Sequence, residues 1–549
     1  MQKRDLFIKA ALVFSGTAIT VVNCNSVRWI IVNGFISFAI WCFLLFRTSL
    51  LNNVFSEHFS KPRIFLSLIS SAGIAFSWLE NRRFTTTIEI LNQYITLPVE
   101  YNASLMFPLH IGILFVFGII LMPALFAFLY WFLGILYQTT RVFVRDIKKH
   151  EIIYLIITSV VTIVSISAVF NITSVFYEPK INGNVINFDV TYTSDSSVYI
   201  KINTFLNFFA WTNDEHQPLF ALFAMPFSVY PFLISKLFFF IPNIYPITIQ
   251  IVQVFLLIIT VILISRMIGL CGISAVAFYV IISLSYPYLL FTFMIEQYIF
   301  SVFYLILFLY LYLNKDTIFI KNGREVFFIA ATGSLITSGI LFPCALSHKN
   351  KKAVKEIATL GLYFLLAVVL CGKAHILWNF FSIVTAQLTF FGGKSIYVID
   401  RLLQYFNFIA FCIVKPDTIF VHGEFISYQL APVTSLNYLG ILFFIFTIIA
   451  FIANRKNKLA QICMVWIVYS FIILCVIGWG TFENGLMLYS LYFAWSFLTL
   501  LFMGIEKFFG KSPPLKYCVY AVLILSLIII NIPAIYDIIR FGVTYYPAH

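Results

Sequence analysis

Residues 140–151, TRVFVRDIKKHE, and the segment that follows them, IIYLIITSVVTIVSISAVFNITSVF at 152–176, decide the fold. The second segment carries no charged side chain. About 20 apolar residues suffice to cross a hydrocarbon core ~30 Å thick. Backbone groups surrounded by lipid must bond internally, so the run reads as a membrane-spanning α-helix. The first segment carries Arg141, Arg145, Lys148 and Lys149. Cytoplasmic loops are enriched in Lys and Arg, so this helix starts at the cytoplasm and leads outward.

Runs of the same kind recur in both directions. Before it they lie near residues 7–23, 28–46, 64–79 and 106–137, the last being one tilted helix or a pair broken near Pro123. After it they lie near 218–239, 247–265, 271–293, 297–313, 326–346, 358–380, 401–414, 435–453, 459–479, 485–504 and 516–536. The chain is 61% hydrophobic and 10% charged, with a mean hydropathy of +0.97. The fold class is therefore all-α: a polytopic integral membrane protein with roughly 14–16 transmembrane helices. The runs do not alternate with period two, which argues against an outer-membrane barrel.

A net charge of +13 raises nucleic acid as a partner. The placement of the charge argues otherwise. HKNKKAVKE (348–356), NRKNK (454–458) and EKFFGK (506–511) sit between apolar runs, as cytoplasmic loops do. The bilayer is the expected partner, and a bacterial inner membrane the expected location. The nine cysteines include no CxxC pair, so neither a zinc site nor a disulfide framework is indicated. The basic start MQKRDLFIKAALVF runs on without a cleavage site and reads as a first or interfacial helix. LENRRFTTTIEILNQYITLPVEYN (79–102) is too polar to span and reads as an amphipathic interfacial helix. Short loops leave the direction of the helices around 240–270 open.

The 152–176 helix delivers the chain to its most acidic stretch. Residues 188–220 read FDVTYTSDSSVYIKINTFLNFFAWTNDEHQPLF and hold Asp189, Asp195, Asp214, Glu215 and His216. Upstream, Asn182-Gly183 is a turn signal inside a β-prone segment, so 178–195 reads as extended. In 196–211, Val198, Ile202, Phe205, Leu206 and Phe209 follow the spacing of one helical face. A short helix on the membrane surface is expected there. TNDEH is a helix start, with Asn213 or Asp214 as cap and Pro218 in the first turn. Further on, Glu296 stands alone in FMIEQYIF (293–300). Such a charge costs ~2.5–3.5 kcal/mol or more at a bilayer centre and less at a helix end.

An acid, a surface helix and then His216-Gln217-Pro218-Leu219-Phe220 opening a membrane helix resembles the first extracytoplasmic loop of the GT-C glycosyltransferases. That group includes the protein O-mannosyltransferases and the aminoarabinose transferases. Asp195 matches the family acid, and Gln217 stands where its first proline is usual. Glu296-Gln297-Tyr298-Ile299-Phe300 resembles its second acid before a later helix. The resemblance covers about residues 152–314. It divides the chain into an added N-terminal transmembrane region (1–150), a catalytic core with an acidic outer loop at 177–217 (151–320) and C-terminal transmembrane helices (321–549).

The resemblance implies transfer of a sugar from a polyprenyl-phosphate donor to a glycan, lipid or protein acceptor on the extracytoplasmic face. The phosphate is the leaving group, so the protein orients and deprotonates the acceptor. Asp195 is the candidate base, with Glu296 as second catalytic acid. His216, Glu215 and Asp189 are candidates for substrate binding. Lys394 and Arg401 flank a Gly-Gly loop suited to phosphate, with Lys201, Lys373 and His375 as further cations. His422, Glu424 and Tyr428 are candidates for an acceptor groove. No cofactor is certain; Mg²⁺ or Mn²⁺ between the acids is an option. Other readings are a transporter or flippase, or a polymerase, for lipid-linked saccharides. Transporters place charges mid-span on broken, repeated helices. Here the acids are expected in a surface loop, and no repeat is evident.

Overall fold

A computed structural model describes residues 2–22, 24, 27–47, 60–80, 103–181, 184–185, 190–192, 194–201, 205–206, 216–314, 318, 320, 322–339, 350–390, 397–421, 425–428, 433–479 and 485–548. The first helices are α1 (Gln2–Val22), α2 (Val27–Arg47), α3 (Lys61–Glu80), α4 (Ala103–Arg145) and α5 (Lys149–Ile172). A small hairpin follows, β1 (Lys180–Ile181) with β2 (Asn184–Val185), then the short α6 (Ser196–Lys201). The central helices are α7 (Phe220–Leu237), α8 (Ile244–Ile268), α9 (Gly272–Leu284), α10 (Tyr286–Phe293), α11 (Tyr298–Leu313) and α12 (Gly323–Ser334). Next are α13 (Asn350–Leu370), α14 (Ala374–Phe390) and α15 (Val398–Phe411), and the hairpin β3 (Thr418–Val421) with β4 (Phe425–Tyr428). The chain ends in α16 (Ser435–Asn454), α17 (Lys458–Ser470) with a π-helical extension to Ile477, α18 (Leu486–Phe509) and α19 (Pro513–Tyr545).

The protein is an all-helical, polytopic membrane protein. Among the described residues nine helices are long and apolar enough to span, or ten if one bent pair forms a single span. That is fewer than the apolar runs in the sequence: several runs fold into shorter pieces, and part of the 326–346 run lies outside the described residues. Leu6–Val22 and Tyr298–Leu313 are apolar but short. The 271–293 run is split at Ser285 into α9 and α10, which meet at 61°. The 106–137 run, in contrast, is one unbroken helix through Pro123. A proline frees helix backbone groups. The Ser15 hydroxyl of α1 bonds the Leu121 carbonyl at 3.1 Å and accepts from the Ala124 amide at 2.9 Å.

The break at Ser285 is satisfied in the same manner. Asn531 of α19 donates to the carbonyls of Leu284 (2.8 Å) and Ile413 (2.9 Å) and accepts the Lys415 amide (2.9 Å). Gln250 of α8 donates to Phe291 and Thr292 at the end of α10, both at 2.8 Å. Non-helical backbone at membrane depth is tolerated only where protein or an internal cavity surrounds it.

One ion pair settles the direction that the sequence left open. Arg266, at the end of α8, forks onto Glu151, at the start of α5, with bonds of 2.8 and 2.6 Å. Its guanidinium also reaches the Phe143 carbonyl, at the end of α4. The far end of α8 therefore lies with the basic 141–149 loop. At the other end Asn243 bonds the Phe170 carbonyl, beside the end of α5. The positive-inside rule assigns the Arg266 end to the cytoplasm.

The extended reading of 178–195 holds for the described hairpin, in which Lys180 pairs with Val185 and Ile181 with Asn184. The expected surface helix at 196–211 does not hold for the residues described there. Regular helix covers only Ser196–Lys201, and Tyr199, Phe205 and Leu206 are buried. Phe205 packs against Phe220 and Phe300, with ring centroids 5.8 Å away in both cases. Phe205 and Leu206, the described side chains of that apolar face, are covered by protein instead of lipid. The amphipathic reading of 79–102 falls, from Asn81 on, outside the described residues.

Candidate functional site

Four central elements stop at one level. α10 ends at Phe293, α11 begins at Tyr298, α12 ends at Ser334 and α7 begins at Phe220. Hydrogen bonds tie the ends together: Leu219 N–H to the Gly333 carbonyl (2.9 Å), Ile336 N–H to the His216 carbonyl (2.8 Å) and Ser301 Oγ to the Ser334 carbonyl (3.2 Å). Gln253 of α8 fixes the height, because its side-chain amide donates to the Glu296 carbonyl at 2.8 Å. Gln253 is about 20 Å along α8 from Arg266 at 1.5 Å per residue. The shared level thus crosses α8 about 14 Å from its Ile244 end, nearer that end than the Arg266 end.

Asp195 and Glu296 meet here. The Asp195 backbone N–H donates to Glu296 Oε1 at 2.9 Å, and Ser196 Oγ donates to the Ile295 carbonyl at 2.8 Å. The second oxygen of Glu296 accepts its neighbour's N–H, from Gln297, at 3.3 Å. Glu296 is buried at 1% exposure, whereas Asp195 is partly exposed. Of the acids expected in the outer loop, Asp195 is described, and it lies against Glu296, the acid that stood alone in its apolar run.

The approach to Asp195 is held from two sides. Tyr192, three residues earlier, has φ 51°, a left-handed conformation rare for a large side chain. Its N–H bonds the Ile426 carbonyl of β4 (3.0 Å), and the Ile426 N–H bonds Val190 (2.7 Å). Its phenol, buried, bonds Tyr286 and Thr418, both at 2.8 Å. The 415–432 connection, read from sequence as an acceptor groove, supplies this support. Tyr428 turns its hydroxyl to the Leu486 amide at the start of α18 (3.1 Å).

An aromatic wall adjoins the acids. Tyr298 follows them on α11 and lies within electrostatic reach of both. It packs edge-on against Tyr489, with centroids 5.8 Å apart. The Trp479 indole N–H donates to the Tyr489 hydroxyl at 2.7 Å, and His216 meets Trp479 edge-on at 5.1 Å. Burial pushes the His216 imidazole down to about 4, so the ring is neutral at pH 7. Gln253, Trp479 and Tyr489 were not singled out from sequence, and Gln297 and Tyr298 entered only as part of the Glu296 motif. Two signals stood there unused: two amides three residues apart in the apolar run of α8, and a tryptophan between Gly478 and Gly480.

The other candidates scatter. Arg401 starts α15 and donates to the Val476 carbonyl at 2.9 Å, close in sequence to Trp479. Lys373 is buried in the α13–α14 turn beside Cys24, and His375 follows it. Asp189, Asp214, Glu215, Lys394, His422 and Glu424 lie outside the described residues, as does the side chain of Lys201. Among the described residues no three His, Cys, Asp or Glu side chains form a metal-sized group. Both oxygens of Glu296 already accept backbone N–H groups. A divalent ion here would take most of its ligands from Asp195, water and a substrate phosphate. Comparison with known protein families, characterised proteins and solved structures finds no match for this chain.

Proposed function

We propose that this protein is a membrane glycosyltransferase of GT-C type that moves a sugar from a polyprenyl-phosphate donor to a glycan, lipid or protein acceptor. The observation that carries the reading is the meeting of Asp195 with Glu296, two acids 101 residues apart in sequence, at a floor of helix ends. The two have different tasks. Glu296, buried and committed to backbone N–H groups, positions the chain that carries Asp195. Asp195, partly exposed, takes the proton of the acceptor hydroxyl as that oxygen bonds to the anomeric carbon. The bond from that carbon to the phosphate oxygen breaks, and the phosphate leaves with the electron pair. Trp479 and Tyr489 offer the flat faces on which a sugar ring stacks, and Arg401 and Lys394 are the cations for the phosphate. The floor faces away from the basic end, so the reaction belongs to the extracytoplasmic face, in a bacterial inner membrane.

The test is transfer in membranes fed a labelled polyprenyl-phosphate sugar, comparing wild type with Asp195→Asn at matched expression. Loss of transfer in the variant is expected; equal transfer removes the site. A second reading, a transporter for lipid-linked saccharides, is favoured by one observation: the 61° break between α9 and α10 at membrane depth, with Gln250 and Gln253 bonding the carbonyls at and beyond the end of α10. Translocation of a fluorescent lipid-linked sugar by wild type and Asp195→Asn alike, with no transfer from any donor, selects that reading.

A further inference from the structure

At the cytoplasmic end, far from the acids, α11, α12 and α13 line an open pocket of about 270 Å³. Its floor is apolar: Phe308, Tyr312 and Leu360 line it and are buried. Its rim carries Arg324 and Glu325, from the first turn of α12, and Lys355 and Glu356, from α13. Phe308 is braced edge-on by Phe328 at 5.5 Å, and the Tyr312 phenol lies within electrostatic reach of Glu356 and Arg324. Two cations and two anions thus face one space, and among the described residues none of the four forms an ion pair with another. An arrangement of this kind is complementary to a ligand that bears both signs. The volume falls just below the ~300–1,000 Å³ of drug-sized pockets, which suits a headgroup.

The surroundings say where the ligand comes from. On α13, next to the cavity, Val354 (65%), Leu362 (55%) and Leu365 (44%) are exposed, an apolar face that suits lipid. Tyr310, two residues before Tyr312, lies within electrostatic reach of Arg145 and Arg266, at the basic end of the molecule. The cavity therefore sits where the bilayer meets the cytoplasm. We propose that it binds the headgroup of a zwitterionic phospholipid with a primary ammonium, the chemistry of phosphatidylethanolamine. Arg324 and Lys355 hold the phosphate through charge-assisted bonds, aided by the N-terminus of α12. Glu356 and Glu325 accept the ammonium protons, and the glycerol and first methylenes lie on Phe308 and Leu360. A quaternary ammonium has no proton to give these carboxylates. A phosphatidylglycerol headgroup leaves them facing no cation.

The experiment uses the full-length protein, delipidated in mild detergent, with lipid added back and the melting temperature followed. Phosphatidylethanolamine is expected to stabilise it at a half-saturating concentration about tenfold below that of phosphatidylcholine or phosphatidylglycerol. Arg324→Gln with Glu356→Gln is expected to erase that preference, and Arg145→Gln, an exposed charge at the same end, to leave it. Equal response of the wild type to the three lipids overturns the proposal without any variant. A preference retained in the double variant overturns it too. Full stabilisation by soluble glycerophosphoethanolamine overturns the lipid source.

Discussion

Asp195 and Glu296 differ in exposure and in what they hold, and that difference can be measured. A general base contributes about 10²–10⁴-fold. Asp195→Asn is expected to lose transfer by that factor, with KM for the donor changed little. Glu296→Gln keeps an oxygen for the Asp195 N–H and is expected to retain transfer within about tenfold, with the pH profile of the wild type. Glu296→Ala removes the acceptor and is expected to approach the Asp195→Asn level. Equal loss in the two Glu296 variants would mean that its charge, not its position, matters. His216 gives a second test. Its folded value near 4 lies below the ordinary ~6.5 of histidine. The unfolded chain takes up a proton that the folded chain refuses, so its contribution is full above about pH 6.5 and is lost as pH falls towards 4. The melting temperature of the wild type is expected to fall more steeply over that window than that of His216→Asn. Parallel curves would place the pH response elsewhere.

At the scale of elements, the sequence displays spans well and their interruptions poorly. Hydropathy averages over a window, so α9 and α10 merge into one run, although Pro287 sits just beyond the 61° bend. The polar groups that make such a bend tolerable are distant in sequence: Asn531 serves Leu284 and Ile413, and Ser15 serves α4. For the same reason the residues alone did not pair Asp195 with Glu296, and only the family resemblance suggested that the two acids share a site. The short helix at 196–201 failed as a surface helix because an apolar face does not say whether lipid or protein covers it. Asn531→Leu strands the Leu284 carbonyl and the Lys415 amide, while the Ile413 carbonyl keeps the Tyr286 N–H; the cost is about 1–3 kcal/mol for each buried group left unpaired. A loss of several kcal/mol in detergent unfolding is expected, and a loss below about 1 kcal/mol would show that the break is satisfied otherwise. Glu151 and Arg266 form a buried pair, for which removal of one partner costs ~3–5 kcal/mol while replacement of both by apolar residues is near neutral. Glu151→Leu and Arg266→Leu are each expected to destabilise, and the double variant to recover most of the loss.

For the whole molecule, the reading depends on which end faces which compartment. The Glu151–Arg266 pair fixes the relative direction of α5 and α8, but only the distribution of Lys and Arg connects that direction to the cell. Both ends offer a handle. Cys271, exposed at the start of α9, lies just past Arg266, on the end assigned to the cytoplasm. Phe239, 81% exposed in the turn between α7 and α8, lies at the opposite end. Cys518 is exposed as well, so the series is built on Cys518→Ser: a membrane-impermeant maleimide is expected to label Cys271 in inverted vesicles and not in intact cells, with added Cys271→Ser removing the signal. Phe239→Cys in the Cys271→Ser background is expected to show the reverse. If both results invert, the floor carrying Asp195 opens to the cytoplasm. Donor and acceptor would then meet on that side, and a polyprenyl-phosphate sugar presented from outside could not reach the acid. The same inversion would move the charged cavity beneath Phe308 to the outer leaflet. The labelling pattern therefore tests the catalytic reading and the lipid site together, through the one assumption they share.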